Sequence, residues 1–154
     1  MLQGKLLYKD LFNIFGPLGY QINCLLFSIF GSKISTLEFA GLINSSIILL
    51  LYYSISRLFT SARTSFFYTM LLMTMCIFYT DLSSYIFPYS YPVIYAITFV
   101  LISILCFFIN FKYENTKVSS YFIYLSYFFA GASITSKYDY IPYCLVLFYF
   151  YGNI

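Results

Sequence analysis

The sequence predicts an all-α fold, a polytopic transmembrane helical bundle, from its composition and from the positions of its charges. Of 154 residues, 62% are hydrophobic, 25% are aromatic and only 8% are charged, whereas soluble domains carry about 25% charged residues. A water-soluble domain of this length needs a polar outer surface, which this composition does not supply. The eight basic and five acidic residues lie between long apolar runs, so lipid is the expected solvent of those runs.

The charge-free runs give the predicted membrane spans. A helix needs about 20 apolar residues to cross the hydrocarbon core of a bilayer. Five runs meet or approach that length, and the proline at the start of the third suits a first helical turn. The predicted spans are residues 38–56, 64–80, 92–111, 118–136 and 140–154. The first four are complete, and the last is cut off by the end of the chain.

The segment 17–31, PLGYQINCLLFSIFG, has two possible placements. Its 15 residues rise only about 22 Å as a helix, and Gln21, Cys24 and Ser28 form a polar stripe at helical spacing. It is either a short span or a helix lying at the interface. A crossing segment divides the eight basic residues six to two between the sides, whereas an interfacial one divides them four to four. When only the loops after the first true span are counted, the interfacial placement has four basic residues inside and one outside. The positive-inside rule therefore does not decide between the two placements.

Several functional classes are excluded or disfavoured by residue content. The net charge of +3 is scattered through loops, unlike the clustered basic face of a nucleic-acid-binding protein. The chain has no histidine, and its cysteines lack the paired spacing of a zinc site or a disulfide framework. We therefore expect no metal, and we interpret the cysteines as small packing residues. They are Cys24, Cys76, Cys106 and Cys144. The first residues lack the apolar core of a cleavable signal peptide.

Two stretches resemble a family of membrane enzymes. YKDLFNIFGPLGYQINCLLFSIFG, residues 8–31, resembles the first outer loop of GT-C fold glycosyltransferases. The similar branch includes protein mannosyltransferases, the lipid A aminoarabinose transferase and dolichyl-phosphate-mannose mannosyltransferase-like bacterial enzymes. In the bacterial enzymes of this branch, an aromatic-basic-Asp triplet precedes a Gly-Pro-Leu or Pro-Pro-Leu segment. A helix that ends in Phe-Gly follows this segment. FAGASITSKYDYIPY, residues 129–143, is similar to a later segment in which a small-residue helix ends in Lys-Tyr.

The resemblance implies a partial GT-C fold and a reaction. Residues 1–16 would be an outer loop and 17–31 a juxtamembrane helix on the outer surface of a bacterial cell membrane. The donor would be a sugar on a polyprenyl phosphate, and the acceptor a hydroxyl of a glycan, lipid or protein, with no nucleotide or other cofactor. Family members are longer and begin with a transmembrane helix, so we expect this chain to be a fragment that is inactive alone.

Three residues are candidates for the chemistry that the resemblance implies. Asp10 corresponds to the first-loop acid of the family and would be the general base that takes the acceptor proton; its alternative role is to cap a turn or solvate the loop. Lys9 and Lys137 are candidates for the donor phosphate. However, adjacent residues of an extended loop point to opposite sides, and Lys137 suits a snorkelling anchor better. Asp139 could pair with Lys137. Phe15 occupies the position of a lysine in the aminoarabinose-transferase branch, which weakens the donor assignment.

A second functional class remains open, namely a transport, flippase or non-catalytic scaffold protein. Transporters keep ionisable residues inside their spans, and the absence of such residues here argues against an ion-coupled carrier. Asn44, Ser45 and Ser46 form a glycosylation sequon inside a predicted span, so we expect them to hydrogen-bond to a neighbouring helix instead. Ala130–Ser133 is expected to give the span 118–136 a small face for close helix packing.

Overall fold

The computed structural model describes residues 15–76, 90–112 and 117–152. In this part of the chain the secondary structure is helical and contains no strand, which confirms the all-α class. A short 3₁₀ turn at Tyr138–Tyr140 precedes the last helix. The helices are α1 (Pro17–Phe30), α2 (Ile34–Phe59), α3 (Ala62–Cys76), α4 (Tyr91–Lys112), α5 (Lys117–Ser136) and α6 (Ile141–Gly152).

Two of the described helices, α2 and α4, are long and apolar enough to cross a membrane. They have 26 and 22 residues, with mean hydropathies of 1.7 and 2.6 over their most apolar windows. At 1.5 Å per residue they measure about 39 Å and 33 Å, against about 30 Å of hydrocarbon. Only 33% and 39% of those windows is buried. The spanning role predicted for the segments of α3, α5 and α6 stays a prediction.

The helix boundaries have local causes. Pro17 occupies the first turn of α1, where its missing N–H costs nothing. Gly31 ends α1 with a φ of +84°, and its N–H donates to the carbonyl of Phe27. Helix α2 is longer than the predicted span 38–56, since it begins four residues before Glu38 and continues past Arg57. A carboxylate near a helix N-terminus and a guanidinium in the last turn both interact favourably with the helix dipole. Glu38 and Arg57 can therefore lie inside α2.

Long-range contacts fix the helix directions. Asn44 of α2 meets Thr98 of α4, and further along both helices Phe59 meets Phe108, so α2 and α4 run in parallel. Helix α5 packs most extensively on α4 and runs back along it, and α3 returns along α2 after a turn in which Thr60 and Ser65 share a hydrogen bond of 2.7 Å. Helix α6 then reverses the direction of α5.

The bundle therefore has two ends, which we name by what lies there. The loop end holds the starts of α2 and α4, the end of α5 and the 3₁₀ turn. The basic end holds the ends of α2 and α4 and the start of α3. The described residues place Arg57, Arg63 and Lys112 at the basic end. Both described acidic residues, Glu38 and Asp139, lie at the loop end.

The interior of the bundle is rich in small polar side chains, and its surface is rich in large apolar ones. The most completely buried side chains, each at most 1% exposed, include Ser45, Ser65, Ser103, Ser126, Ser133 and Ser136. In contrast, Ile34 and Tyr121 are each 75% exposed and Phe128 is 68% exposed. Soluble proteins show the opposite arrangement, since they bury large apolar side chains and expose most small polar ones.

One serine pair and a tyrosine join helices α4, α5 and α6. The Ser103 hydroxyl of α4 donates to the Ser126 carbonyl of α5 (2.8 Å), and the Ser126 hydroxyl donates back to the Ser103 carbonyl (2.9 Å). The Tyr143 hydroxyl of α6 donates to the Ser103 hydroxyl at 3.0 Å. Such bonds hold helices together where lipid provides no hydrophobic drive between them.

Two expectations about polar and small residues need correction. Asn44 does bond to a neighbouring helix, since its amide oxygen lies 3.0 Å from the Thr98 hydroxyl. Ser45 and Ser46 do not, because their hydroxyls donate to the carbonyls of their own helix one turn earlier. Gly131 is also not part of a packed face, since a Cβ there would meet nothing within 4 Å. Successive residues of a helix are about 100° apart, so Gly131 faces away from the buried side of α5.

Candidate functional site

The candidate site lies at the loop end, where the segment before α1 meets the last turn of α5. Gly16 is buried there against Thr135 and Ser136. A Cβ at residue 16 would lie 2.1 Å from the Thr135 carbonyl oxygen and 2.6 Å from its carbon. These are backbone atoms that cannot swing aside, so only glycine allows this approach. The sequence GP in YKDLFNIFGPLGY thus marks a fixed contact between the first segment and α5.

Helix α1 lies across the loop end. At its start Gly19 packs against Pro92, with 2.7 Å between an added Cβ and the proline Cβ. In its middle the Tyr95 hydroxyl donates to the Asn23 amide oxygen at 2.7 Å. At its end the ring of Phe30 meets that of Phe39. Each partner belongs to the first two turns of α4 or α2, so α1 runs over the ends of these helices and not along them.

The polar stripe of α1 faces away from the helices that it crosses. Gln21, Cys24, Leu25 and Ser28 line an open surface groove of about 310 Å³. The buried contacts of α1 come instead from Gly19 and from Asn23, which lies on the other face. The stripe at positions 21, 24 and 28 was recognised in the sequence, but the residues that dock the helix were not.

Lys137 follows directly after α5 and forms an ion pair. Its ammonium nitrogen lies 2.8 Å from a carboxylate oxygen of Asp139, and the two side chains are 24% and 73% exposed. The pairing foreseen from the sequence is therefore present. An exposed ion pair of this kind contributes about 0–1 kcal/mol to stability, so it orients the lysine more than it stabilises the fold.

Tyr140 closes the 3₁₀ turn beside this ion pair. Burial, and secondly the negative charge of Asp139, raise the pKa of the Tyr140 phenol above its usual value. The phenol is therefore neutral at physiological pH and acts as a hydrogen-bonding group without charge. Residue 140 was predicted to begin the last span, but the structure assigns it to the turn, and α6 begins at Ile141.

The predicted site residues are only partly covered by the structure. Asp10 and Lys9 lie outside the described residues. In the sequence, Asp10 precedes Gly16 by six residues. Gly16 in turn touches Ser136, the neighbour of Lys137. Phe15, at the position of the lysine in the related branch, is half-buried.

The described part of the site contains charged side chains but no cluster of potential metal ligands. No group of three or more histidine, cysteine, aspartate or glutamate side chains comes together in the described residues. The charged side chains there are one cation at the start of α2, one carboxylate in its second turn, and the ion pair after α5: Lys33, Glu38, Lys137 and Asp139. Among these, a lysine can hold a phosphate oxygen.

Comparisons of the chain with family models, with curated proteins and with solved structures find no match. The resemblance of the two stretches 8–31 and 129–143 to a family therefore stays a prediction.

Proposed function

We propose that this chain is part of a multi-pass membrane glycosyltransferase with a GT-C type bundle. It moves a sugar from a polyprenyl-phosphate donor to a hydroxyl acceptor at the outer face of a bacterial cell membrane. Asp10 is the general base, and Lys137 or Lys9 contacts the donor phosphate. The lipid-borne donor, the acceptor and the surrounding membrane lipid are the partners of the reaction.

The distribution of side chains supports a membrane location. Large apolar residues are exposed along α2, α3, α5 and α6, while serines fill the interior. A soluble monomer rarely exposes contiguous apolar surface beyond a few hundred Å². In a lipid bilayer, exposure of the same apolar surface carries no free-energy penalty, and buried hydroxyl groups provide hydrogen bonds between helices.

The charge distribution supports an orientation. Arg57, Arg63 and Lys112 gather at the basic end, whereas acids and bases balance at the loop end. Cytoplasmic ends of membrane helices carry the excess of lysine and arginine. The basic end is then cytoplasmic, and α1 rests at the outer interface as a juxtamembrane helix.

One contact carries the proposal for the site. Gly16 packs on Thr135 and Ser136 at the end of α5, so the residue that follows the proposed Asp10 loop in the sequence meets the helix end beside Lys137. The two stretches that resemble the family, which are separated by 97 residues in the sequence, meet at this contact. A base and a cation near one another are what this transfer requires, since the acceptor loses a proton and the phosphate leaves with negative charge.

The test is Asp10→Asn in the full-length protein, assayed for sugar transfer from a polyprenyl-phosphate donor. Loss of a general base lowers the rate by about 10²- to 10⁴-fold, with expression and thermal unfolding unchanged. The matched control is Glu38→Gln, which neutralises another acid at the same end and leaves the rate near that of the wild type. Equal turnover in the two variants would rule out Asp10 as the base.

A topology measurement separates this proposal from the transport, flippase or scaffold alternative. Reporter fusions within residues 8–16 should report an outer location, because the lipid-linked donor is presented there. A cytoplasmic location for this loop contradicts the transferase proposal and leaves the alternative standing.

A further inference from the structure

A surface groove opens between the last turns of α2 and α4 at the basic end. It has a volume of about 410 Å³ and is lined by Leu58, Phe59, Phe108, Phe111 and Lys112. Pockets of about 300–1,000 Å³ are typical of sites for small molecules. The rings of Phe59 and Phe108 meet edge to face with centroids 4.8 Å apart. This contact joins the two helices beside the groove.

The walls of the groove remain open to the surroundings. Phe59 is 64% exposed and Phe111 is 43% exposed, and the Phe111 ring rests on that of Phe107, with centroids 4.9 Å apart. The groove is thus an aromatic trough that presents ring surface outward. An acyl chain is a ligand that fits such a trough, because it buries the exposed ring surface without needing a polar partner.

The charged residue of this groove is a cation. Lys112 is exposed in the last turn of α4, and Arg57 and Arg63 lie at the same end of the bundle. Arg57 already donates to the Thr60 carbonyl at 3.0 Å. Both acidic residues of the described chain lie at the opposite end. Two other surface grooves, on α5 and on α1, are lined without a charged residue.

We infer that the groove between the ends of α2 and α4 binds an anionic phospholipid. The phosphate is held by the Lys112 ammonium group, and the upper part of one acyl chain lies against Phe59 and Phe111. Basic pockets between membrane helices on the cytoplasmic side bind anionic headgroups by this combination of charge and apolar surface. The inference depends on the membrane location but not on the transfer chemistry, because the groove is at the end opposite to Gly16 and Lys137.

The experiment is native mass spectrometry of the full chain purified in a neutral detergent, with equal amounts of phosphatidylglycerol and phosphatidylcholine added. The wild type should retain phosphatidylglycerol in preference. A lysine near a bilayer surface adds about fivefold to the binding of an anionic lipid, so Lys112→Gln should lower retention by about that factor. Lys112→Arg keeps the charge and should restore it.

The matched control is Lys33→Gln, which removes an exposed lysine at the other end of the bundle and should leave retention unchanged. Equal retention by Lys112→Gln and the wild type would overturn the inference. So would an equal loss in Lys33→Gln, which indicates general charge attraction, or full displacement of the lipid by inorganic phosphate, which indicates an anion site without lipid. A transferase assay is not needed for any of these outcomes.

Discussion

Two glycines of this chain differ in the space that surrounds their Cα atoms. Gly16 is buried where the first segment meets α5, and a Cβ there would run into the Thr135 carbonyl group. Gly131 lies inside α5, and a Cβ there would meet nothing within 4 Å. Glycine is therefore required at position 16, where a side chain would not fit, and is not required at position 131.

Gly16→Ala should destabilise the protein by about 1–3 kcal/mol, the usual cost of forcing an extra methyl group into a packed contact. The measurement is the free energy of unfolding in detergent micelles titrated with sodium dodecyl sulfate. Gly131→Ala is the control, and it should be neutral or stabilising by up to about 1 kcal/mol, since alanine is the better helix former. Equal stability of the wild type and Gly16→Ala would show that the first segment is not fixed against α5.

Helices α4, α5 and α6 are joined by hydroxyl groups that meet at one point. Ser103 donates to the Ser126 carbonyl and accepts from the Tyr143 hydroxyl, so one side chain serves three helices. Interhelical hydrogen bonds in membrane proteins contribute about 0.6 kcal/mol on average and up to about 1.7 kcal/mol. The contact between these three helices therefore depends in part on this one hydroxyl group.

Ser103→Ala should lower the free energy of unfolding by about 1 kcal/mol, because it removes both bonds and leaves the Tyr143 hydroxyl without this acceptor. Tyr143→Phe should cost less, and the double variant should show a coupling of about 0.5–1 kcal/mol in a double-mutant cycle. Ser46→Ala is the control, since the Ser46 hydroxyl is exposed and bonds only within its own helix. Strict additivity of the two substitutions would contradict the direct bond.

At the scale of the whole molecule, α1 and the charges define two unlike ends. Helix α1 covers the loop end by contacts with the first turns of α4 and α2 and, through the preceding Gly16, with the end of α5. The basic end carries arginine and lysine from α2, α3 and α4. This asymmetry predicts a single orientation in the membrane.

A membrane-impermeant maleimide applied to intact cells should therefore label the two ends differently. In a variant without the native cysteines, Lys33→Cys should react from outside, and Arg63→Cys should react only after the cells are permeabilised. Both native side chains are exposed, so a difference reports sidedness and not burial. The reverse pattern would invert the bundle and would place the Asp10 loop in the cytoplasm.

Much of the local structure could be predicted from the sequence. Each described helix overlaps a segment predicted from its apolar run, and the differences lie at the ends, since α2 extends beyond the predicted span 38–56 on both sides. Lys137 and Asp139 were paired correctly because they are close in the sequence. The general base predicted at Asp10 stays a prediction, since it lies outside the described residues.

The sequence by itself determined that the described part of the chain is helical and apolar, because the apolar runs, the chain-breaking Gly16-Pro17 pair and the spacing of charges are local properties that each segment carries alone. The tertiary structure decided which residues meet. Gly16 reaches Thr135 and Ser103 reaches Tyr143 across 119 and 40 residues of sequence, and Asn23, not the polar stripe, docks α1. Such pairings depend on the rotation of each helix about its axis and on the angle at which two helices cross. Small residues and hydroxyl groups are compatible with many of these arrangements, so close packing in the folded protein determines which one forms.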